Sequence, residues 1–199
     1  PLTPGEAEAF VQGRLDLVGE AGEIGNHDLE ETVIAANATG LAPDVEYLHH
    51  PLLRIAELPE ALCSLEDGGI LRRRGAIETI TCLRGPHEAG MGGGVFLVVS
   101  CANDYSRSII TMKGLLANHR NTASAIYRPH HLCGVETPIS ILAAALLGLP
   151  TSATEYRPCF DVLARTRTAK SAGETLHERD LRALARPAQP VGESGPLPI

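Results

Sequence analysis

The sequence predicts an α+β fold, a mixed or antiparallel sheet packed with helices and followed by a small β module. Three observations carry that expectation. Helical apolar spacing dominates the first 40 residues, two β-rich runs (AIETITCL, 76–83, and GVFLVVSC, 94–101) stand together in the middle, and the texture becomes strand-like again after Pro158. The expected division is a main domain over 1–158 and a β module with a proline- and glycine-rich tail over 159–199.

In order along the chain, Thr3-Pro4-Gly5-Glu6 has the form of a capping box, and Phe10, Val11, Leu15, Leu17 and Val18 supply the apolar positions of a first helix. Asn26 is the expected cap of a second helix, with Leu29, Val33, Ile34 and Ala38 on its stripe and Gly40 ending it in a left-handed conformation. Residues 41–69 are punctuated by proline and read as loop with short turns. The two β-rich runs, joined by the glycine-rich GPHEAGMGG, read as antiparallel neighbours. The glycines of that joint open no helix and lack a GK[ST] ending, so they form a hairpin loop rather than a phosphate cradle. Asn103 or Asp104 caps a helix running to about Ala117, and a short strand, SAIY, follows. Thr137 and Pro138 then start a helix so uniformly apolar that burial is expected. FDVLARTRTA reads as a strand and KSAGETLHERDLRALARP as a polar turn.

Composition narrows the function classes. With 44% hydrophobic and 21% charged residues the 199-residue chain is of the ordinary folded kind. A net charge of −7, with Arg72-Arg73-Arg74 the densest basic run, argues against a nucleic-acid partner. The longest apolar run, 141–147, is far short of the roughly 20 residues that span a bilayer, and no secretory leader is expected at the start, so no membrane partner is predicted. Five widely spaced cysteines without a CxxC pair read as reduced thiols of a cytoplasmic protein. Only Lys113 and Lys170 are available to a lysine-dependent mechanism.

The chemistry gathers in IYRPHHLCGVETPIS, residues 126–140. Tyr127, Arg128, His130, His131 and Glu136 fall within ten positions. They suit a polar pocket in which the Arg128 fork holds a carboxylate or phosphate and a histidine moves protons near neutral pH. The competing reading is a structural network in which arginine and glutamate pair and the histidines bond to backbone. On the second helix, Glu31 and Asn37 are spaced to share a face, or else the acidic residues are a solvated first turn. A metal site from His49-His50 or from the pair at 130 and 131 is not expected, because adjacent histidines diverge on a strand. Cys133 reads as a small buried thiol before a nucleophile.

HDLEETVIAANATGL, GGVFLVVSCANDYSR, IYRPHHLCGVETPIS and TAKSAGETLHERDLRAL stand in the order and approximate spacing of a known family. Over roughly residues 26–187 the chain resembles the second half of the homoserine-dehydrogenase-like oxidoreductases that include the deoxyxylulose-phosphate reductoisomerase-like enzymes. Its last stretch is similar to a SAF module. The resemblance implies a homodimer and a small-molecule substrate, with substrate-side roles for Glu31, Asn37, Tyr127, Arg128, His131 and Glu136. It also implies an NAD(P)-binding Rossmann domain ahead of the part seen here. The chain has no strand, GxGxxG and helix unit, so the cofactor is unknown and NAD(P) enters only if a nucleotide-binding domain is supplied from elsewhere. Where the family carries a carbonyl-polarising lysine, this chain reads Asn26-His27-Asp28. His27 takes that place only when charged or in the donating tautomer. Two other readings keep the fold and change its use. One is a cofactor-independent isomerase, lyase or cyclase with the same acids and bases, and the other is a non-catalytic binding or assembly protein.

Overall fold

The structure is a computed structural model that describes residues 5–131, 133–149 and 158–188. Thr3 and Pro4 and the last residues of the tail lie outside that range. The class is α+β, with five α-helices and several small sheets among the described residues.

Helix α1 (Ala7–Val18) follows Gly5, whose φ of +81° suits glycine alone, and buries Ala7 and Val11. Arg14 anchors it. One guanidinium nitrogen donates to the Leu52 carbonyl (2.7 Å) and to the Glu57 carboxylate (2.6 Å), and the other also reaches Glu57 (3.1 Å). Burial pushes the Glu57 pKa up, but the Arg14 hydrogen bonds, a bond from the Arg54 N–H and the neighbouring positive charges outweigh it and leave the carboxyl below its ordinary value.

Helix α2 (Asn26–Thr39) ends at Gly40 in the left-handed region (φ 75°), as its sequence predicts, but the expected Asn26 cap is corrected: Gly25 holds the cap position and Asn26 is the first helical residue. Leu29, Val33 and Ala36 form its buried stripe, while Ile34 faces solvent. The segment 41–83 is more ordered than a loop. Strand β1 (Ala42–Pro43) pairs in parallel with β3 (Ala76–Ile77), and β2 (Leu52–Leu53) with β4 (Thr81–Cys82). Between them lies α3 (Leu58–Ala61), a single buried turn. The expected pairing of 76–83 with 94–101 is therefore corrected. The first run is consumed two residues at a time by partners earlier in the chain, because Glu78 breaks it: its carboxylate accepts the backbone N–H groups of His49, His50 and Thr79.

The main sheet has the order β5 (Val95–Ser100), β7 (Ala123–Arg128), β6 (Leu116–Ala117), all antiparallel, with Val95 opposite Arg128 and Ser100 opposite Ala123. Phe96, Val98, Leu116 and Ala125 pack on α1, α3 and Ile70 to make the larger core. Helix α4 (Asp104–Met112) is capped by the Asn103 side chain, which accepts from the Ser106 N–H at 2.8 Å. It stops short of the expected Ala117 because 116–117 enter the sheet as β6.

Helix α5 (Cys133–Leu147) starts four residues before the expected cap and carries Pro138 inside it. The expectation that it is buried is corrected: Val135, Ile139, Ile141, Leu142, Leu146 and Leu147 are all exposed, and among the described residues none of the helix joins either core. An apolar circumference demands cover, but it does not say that the cover comes from the same chain.

Strand β8 (Phe160–Thr166) pairs antiparallel with β9 (Leu181–Pro187). The stretch expected to be a polar turn thus ends in a second strand. Ala183, Leu184 and Ala185 are all buried, and the flanking Arg182 and Arg186 hide that in the sequence. The hairpin shares a core with α2, in which Leu29, Val33 and Leu48 meet Phe160, Val162, Ala183 and Ala185. No helix among the described residues is long and apolar enough to cross a membrane.

Asn37, 6% exposed, fixes the start of β8: its amide donates to the Phe160 carbonyl, and its oxygen accepts from the N–H groups of Cys159 and Phe160, each at 2.9 Å. Asn37→Ala strands those backbone groups. We expect it to cost about 2–4 kcal/mol in urea unfolding, from a penalty of about 1–3 kcal/mol per buried unpaired group, against about 0.5 kcal/mol or less for exposed Thr39→Ala.

Candidate functional site

The junction between β7 and α5 holds the polar motif. Arg128, the last residue of β7, donates from Nη2 to Oε1 of Glu136 in the first turn of α5, so strand end and helix start are tied by one charged contact. The arginine side chain is 66% exposed and the glutamate 23%. The pair uses one of five guanidinium N–H groups, which leaves the rest of the fork for an anion.

His131 Nδ1 lies against the Gly93 carbonyl oxygen. A carbonyl only accepts, so Nδ1 carries the proton, and Nε2 of the neutral ring keeps the lone pair that a base needs. His130 directly precedes it, and Tyr127, four residues earlier, is exposed and opposite Phe96 in the sheet register.

The glycine joint explains itself here. A side-chain carbon on Gly94 would stand 2.6 Å from the Pro129 carbonyl oxygen and 2.7 Å from that of Arg128, besides colliding with Met91. Gly93 has φ +67°. The run GMGGG is thus shaped to let the start of β5 pass against the backbone of the motif, a link between two sequence features that composition reads only as a flexible loop.

Elements of the second core carry the remaining candidates. His27 is 88% exposed on the first turn of α2, with Glu30 3.5 Å away. Glu31 is exposed on the same helix. No hydrogen bond or ion pair between described residues joins His27 or Glu31 to the 126–136 motif, whereas Asn37 is occupied with the backbone of 159–160. Of the candidates, the structure bonds Arg128 to Glu136 directly, sets His131 on the Gly93 carbonyl and commits Asn37 to the start of β8. The side chain of Cys133 lies outside the described residues.

A family model for the catalytic domain of the oxidoreductase DRL matches residues 25–137, more than half of the chain. The chain belongs to that oxidoreductase catalytic-domain family. No curated protein matches it. The DRL match runs from the N-terminal cap of α2 to the first turn of α5, so it contains every candidate named above and leaves out α1 and the β8–β9 hairpin.

In this DRL-family domain the His49-His50 pair is structural. His49 Nε2 pairs with Asp44 at 2.8 Å, and the two ring nitrogens of His50 meet the hydroxyls of Thr79 (2.8 Å) and Thr81 (2.9 Å). Among the described residues no group of three or more histidine, cysteine or carboxylate side chains is placed to hold a metal. Burial lowers the His50 pKa, with the Asp28 charge opposing weakly.

Two tests follow from this geometry. The unfolded chain protonates His50 from about pH 6.5 downward while the folded chain resists, so its contribution to stability is present above pH 6.5 and is lost as pH falls toward the lower folded value. His50→Asn, tolerated at φ +41°, should flatten the stability profile below about pH 6.5 in urea titrations. Gly94→Ala should displace the 128–129 backbone, destabilise the domain by about 1–3 kcal/mol and shift the His131 ring resonances in NMR spectra.

Proposed function

We propose that this domain is the substrate-side half of an NAD(P)-linked oxidoreductase that acts on a small hydroxylated or phosphorylated carbonyl compound, of the homoserine-dehydrogenase-like and deoxyxylulose-phosphate reductoisomerase-like kind. The observation that carries this reading is an open polar cluster bordered by apolar surface. Arg128, His131 and Tyr127 lie exposed at the end of β7, with His130 between them, next to the bare apolar circumference of α5 and the outer sheet residues Val95, Leu97 and Ile126. Charged groups at the foot of an uncovered apolar helix suit a site completed by another body that excludes water.

The roles follow from the chemistry of each side chain. Glu136 fixes the Arg128 fork, whose free N–H groups hold a carboxylate or phosphate of the substrate. His131 Nε2 takes or returns a proton at a substrate hydroxyl, and Tyr127 and His130 bond neighbouring oxygens. His27 and Glu31 reach the same substrate only from α2, where His27 stands in place of the family's lysine. Asn37 acts as a positioning residue that holds α2 against β8.

NAD(P) has no cradle among the described residues, which contain no strand, glycine-rich turn and helix of the dinucleotide-binding kind. The residues present do not fit that cofactor. The apolar faces of α5 and β5 would be shared between a homodimer contact and a nucleotide-binding domain.

The test uses the full-length natural protein. NADPH or NADH should raise its melting temperature, since a ligand that binds only the folded form stabilises it. Arg128→Ala and His131→Ala should each lower kcat/KM for a phosphorylated hydroxycarbonyl compound by about 10–100-fold, the worth of one charged hydrogen bond, with the melting temperature kept. Unchanged turnover in both variants would remove the site. Turnover that needs no nicotinamide would move the protein to the isomerase, lyase or cyclase class with the same residues.

A further inference from the structure

A cavity of about 250 Å³ opens between the 62–78 segment and the inner edge of β5. Leu62, Leu71, Phe96 and Val98 form its apolar wall, and Arg73 and Arg74 line it together. Ser100 borders it at the end of β5 opposite Ala123, five residues along the strand from Val95, which faces Arg128. Phe96 and Leu97 carry the wall back along the strand to the residue after Val95, where Phe96 lies opposite Tyr127.

Arg73 and Arg74 are exposed at the mouth of the cavity, so together they offer positive charge to a ligand that enters it. Here the backbone keeps them in place. The Arg72 N–H donates to both oxygens of Asp44 at 3.2 Å, and the Gly75 carbonyl accepts from the Ala42 N–H at 3.0 Å with Gly75 at φ +70°. Residues 72–75 are thus a bend pinned at both ends. No hydrogen bond or ion pair between described residues engages the Arg73 or Arg74 side chain.

The acids nearby are already committed. Asp67 accepts from the Ser64 hydroxyl at 2.9 Å, and the Glu78 carboxylate faces the N–H groups of residues 49, 50 and 79. The one thiol in the wall, Cys63, has its pKa pushed up to about 11, first by burial and then by the Asp67 charge, so it is no nucleophile at neutral pH. The cavity has the means to bind and none to react.

We propose that this cavity is a binding site for a small amphipathic anion, a short apolar body against Leu62, Leu71, Phe96 and Val98 with one carboxylate or phosphate on Arg73 and Arg74. None of residues 127–136 lines it, and its occupancy does not depend on the function proposed for the β7–α5 motif.

The experiment is calorimetric titration of the full chain with hexanoate, hexyl phosphate, hexanol and inorganic phosphate. Hexanoate or hexyl phosphate should bind with Kd of about 1 mM or tighter, and the tighter of the two identifies the head group. Arg73→Gln combined with Arg74→Gln should weaken that binding at least about tenfold, and Ser100→Phe, which adds a ring to the cavity wall from an exposed position and keeps both arginines, should do the same. Each variant is first shown to keep the parent melting temperature, and Arg128→Ala serves as a variant that should leave binding unchanged. Equal binding of hexanol, equal binding of inorganic phosphate, no binding of either amphiphile, or binding indifferent to both variants would each overturn the proposal.

Discussion

Six residue pairs between 95–100 and 123–128 hold β7 against β5, with β6 on its other side, and the position of the polar chemistry depends on that register. One face of the pair, Phe96, Val98 and Ala125, is locked into the larger core, so a slip by a single residue would turn the whole set outward. With the register fixed, Arg128 must leave the sheet at the end where Val95 begins, and Glu136 must meet it from the first turn of α5. The glycines before Val95 belong to the same constraint, because the strand can start there only if nothing projects from position 94.

The molecule is otherwise two cores joined by short pieces. The larger is built on α1, α3 and the β5–β7–β6 sheet, the smaller on α2 and the β8–β9 hairpin. Buried polar side chains do much of the joining, and they spend their hydrogen bonds largely on backbone. Asn37 holds the hairpin, Glu78 gathers the 49–50 turn, and Asn118 accepts from the N–H groups of Thr122 and Ala123 at the entry to β7. Such groups are poor candidates for turnover, since a ligand would have to displace bonds that the fold needs. The exposed, partly engaged groups at 127–136 are under no such constraint.

The helices are the most legible part of the fold, for a local reason. Gly40 and Asn103 act on backbone within four residues of themselves, and the Leu29 and Val33 stripe reports a period that one segment carries alone. The strands are less so. Residues 76–83 look like one strand because of their β propensity, yet their partners are at 42–43 and 52–53, and nothing within the run encodes that pairing. In β9 the arginines at 182 and 186 mask the buried run 183–185, which only pairing with the opposing hairpin strand explains.

For the site, the sequence by itself determined the chemical inventory at 126–136, the lack of a dinucleotide-binding turn and the demand of α5 for an apolar partner, because residue type and spacing are sufficient for each. Only the tertiary structure decided that Arg128 pairs with Glu136, that the Gly93 carbonyl sets the His131 tautomer, that Asn37 is spent on the hairpin, and that the exposed Arg73 and Arg74 border a cavity. Those outcomes rest on contacts between residues 8 to 123 positions apart, whose closure is a property of the whole packed chain and of no stretch within it.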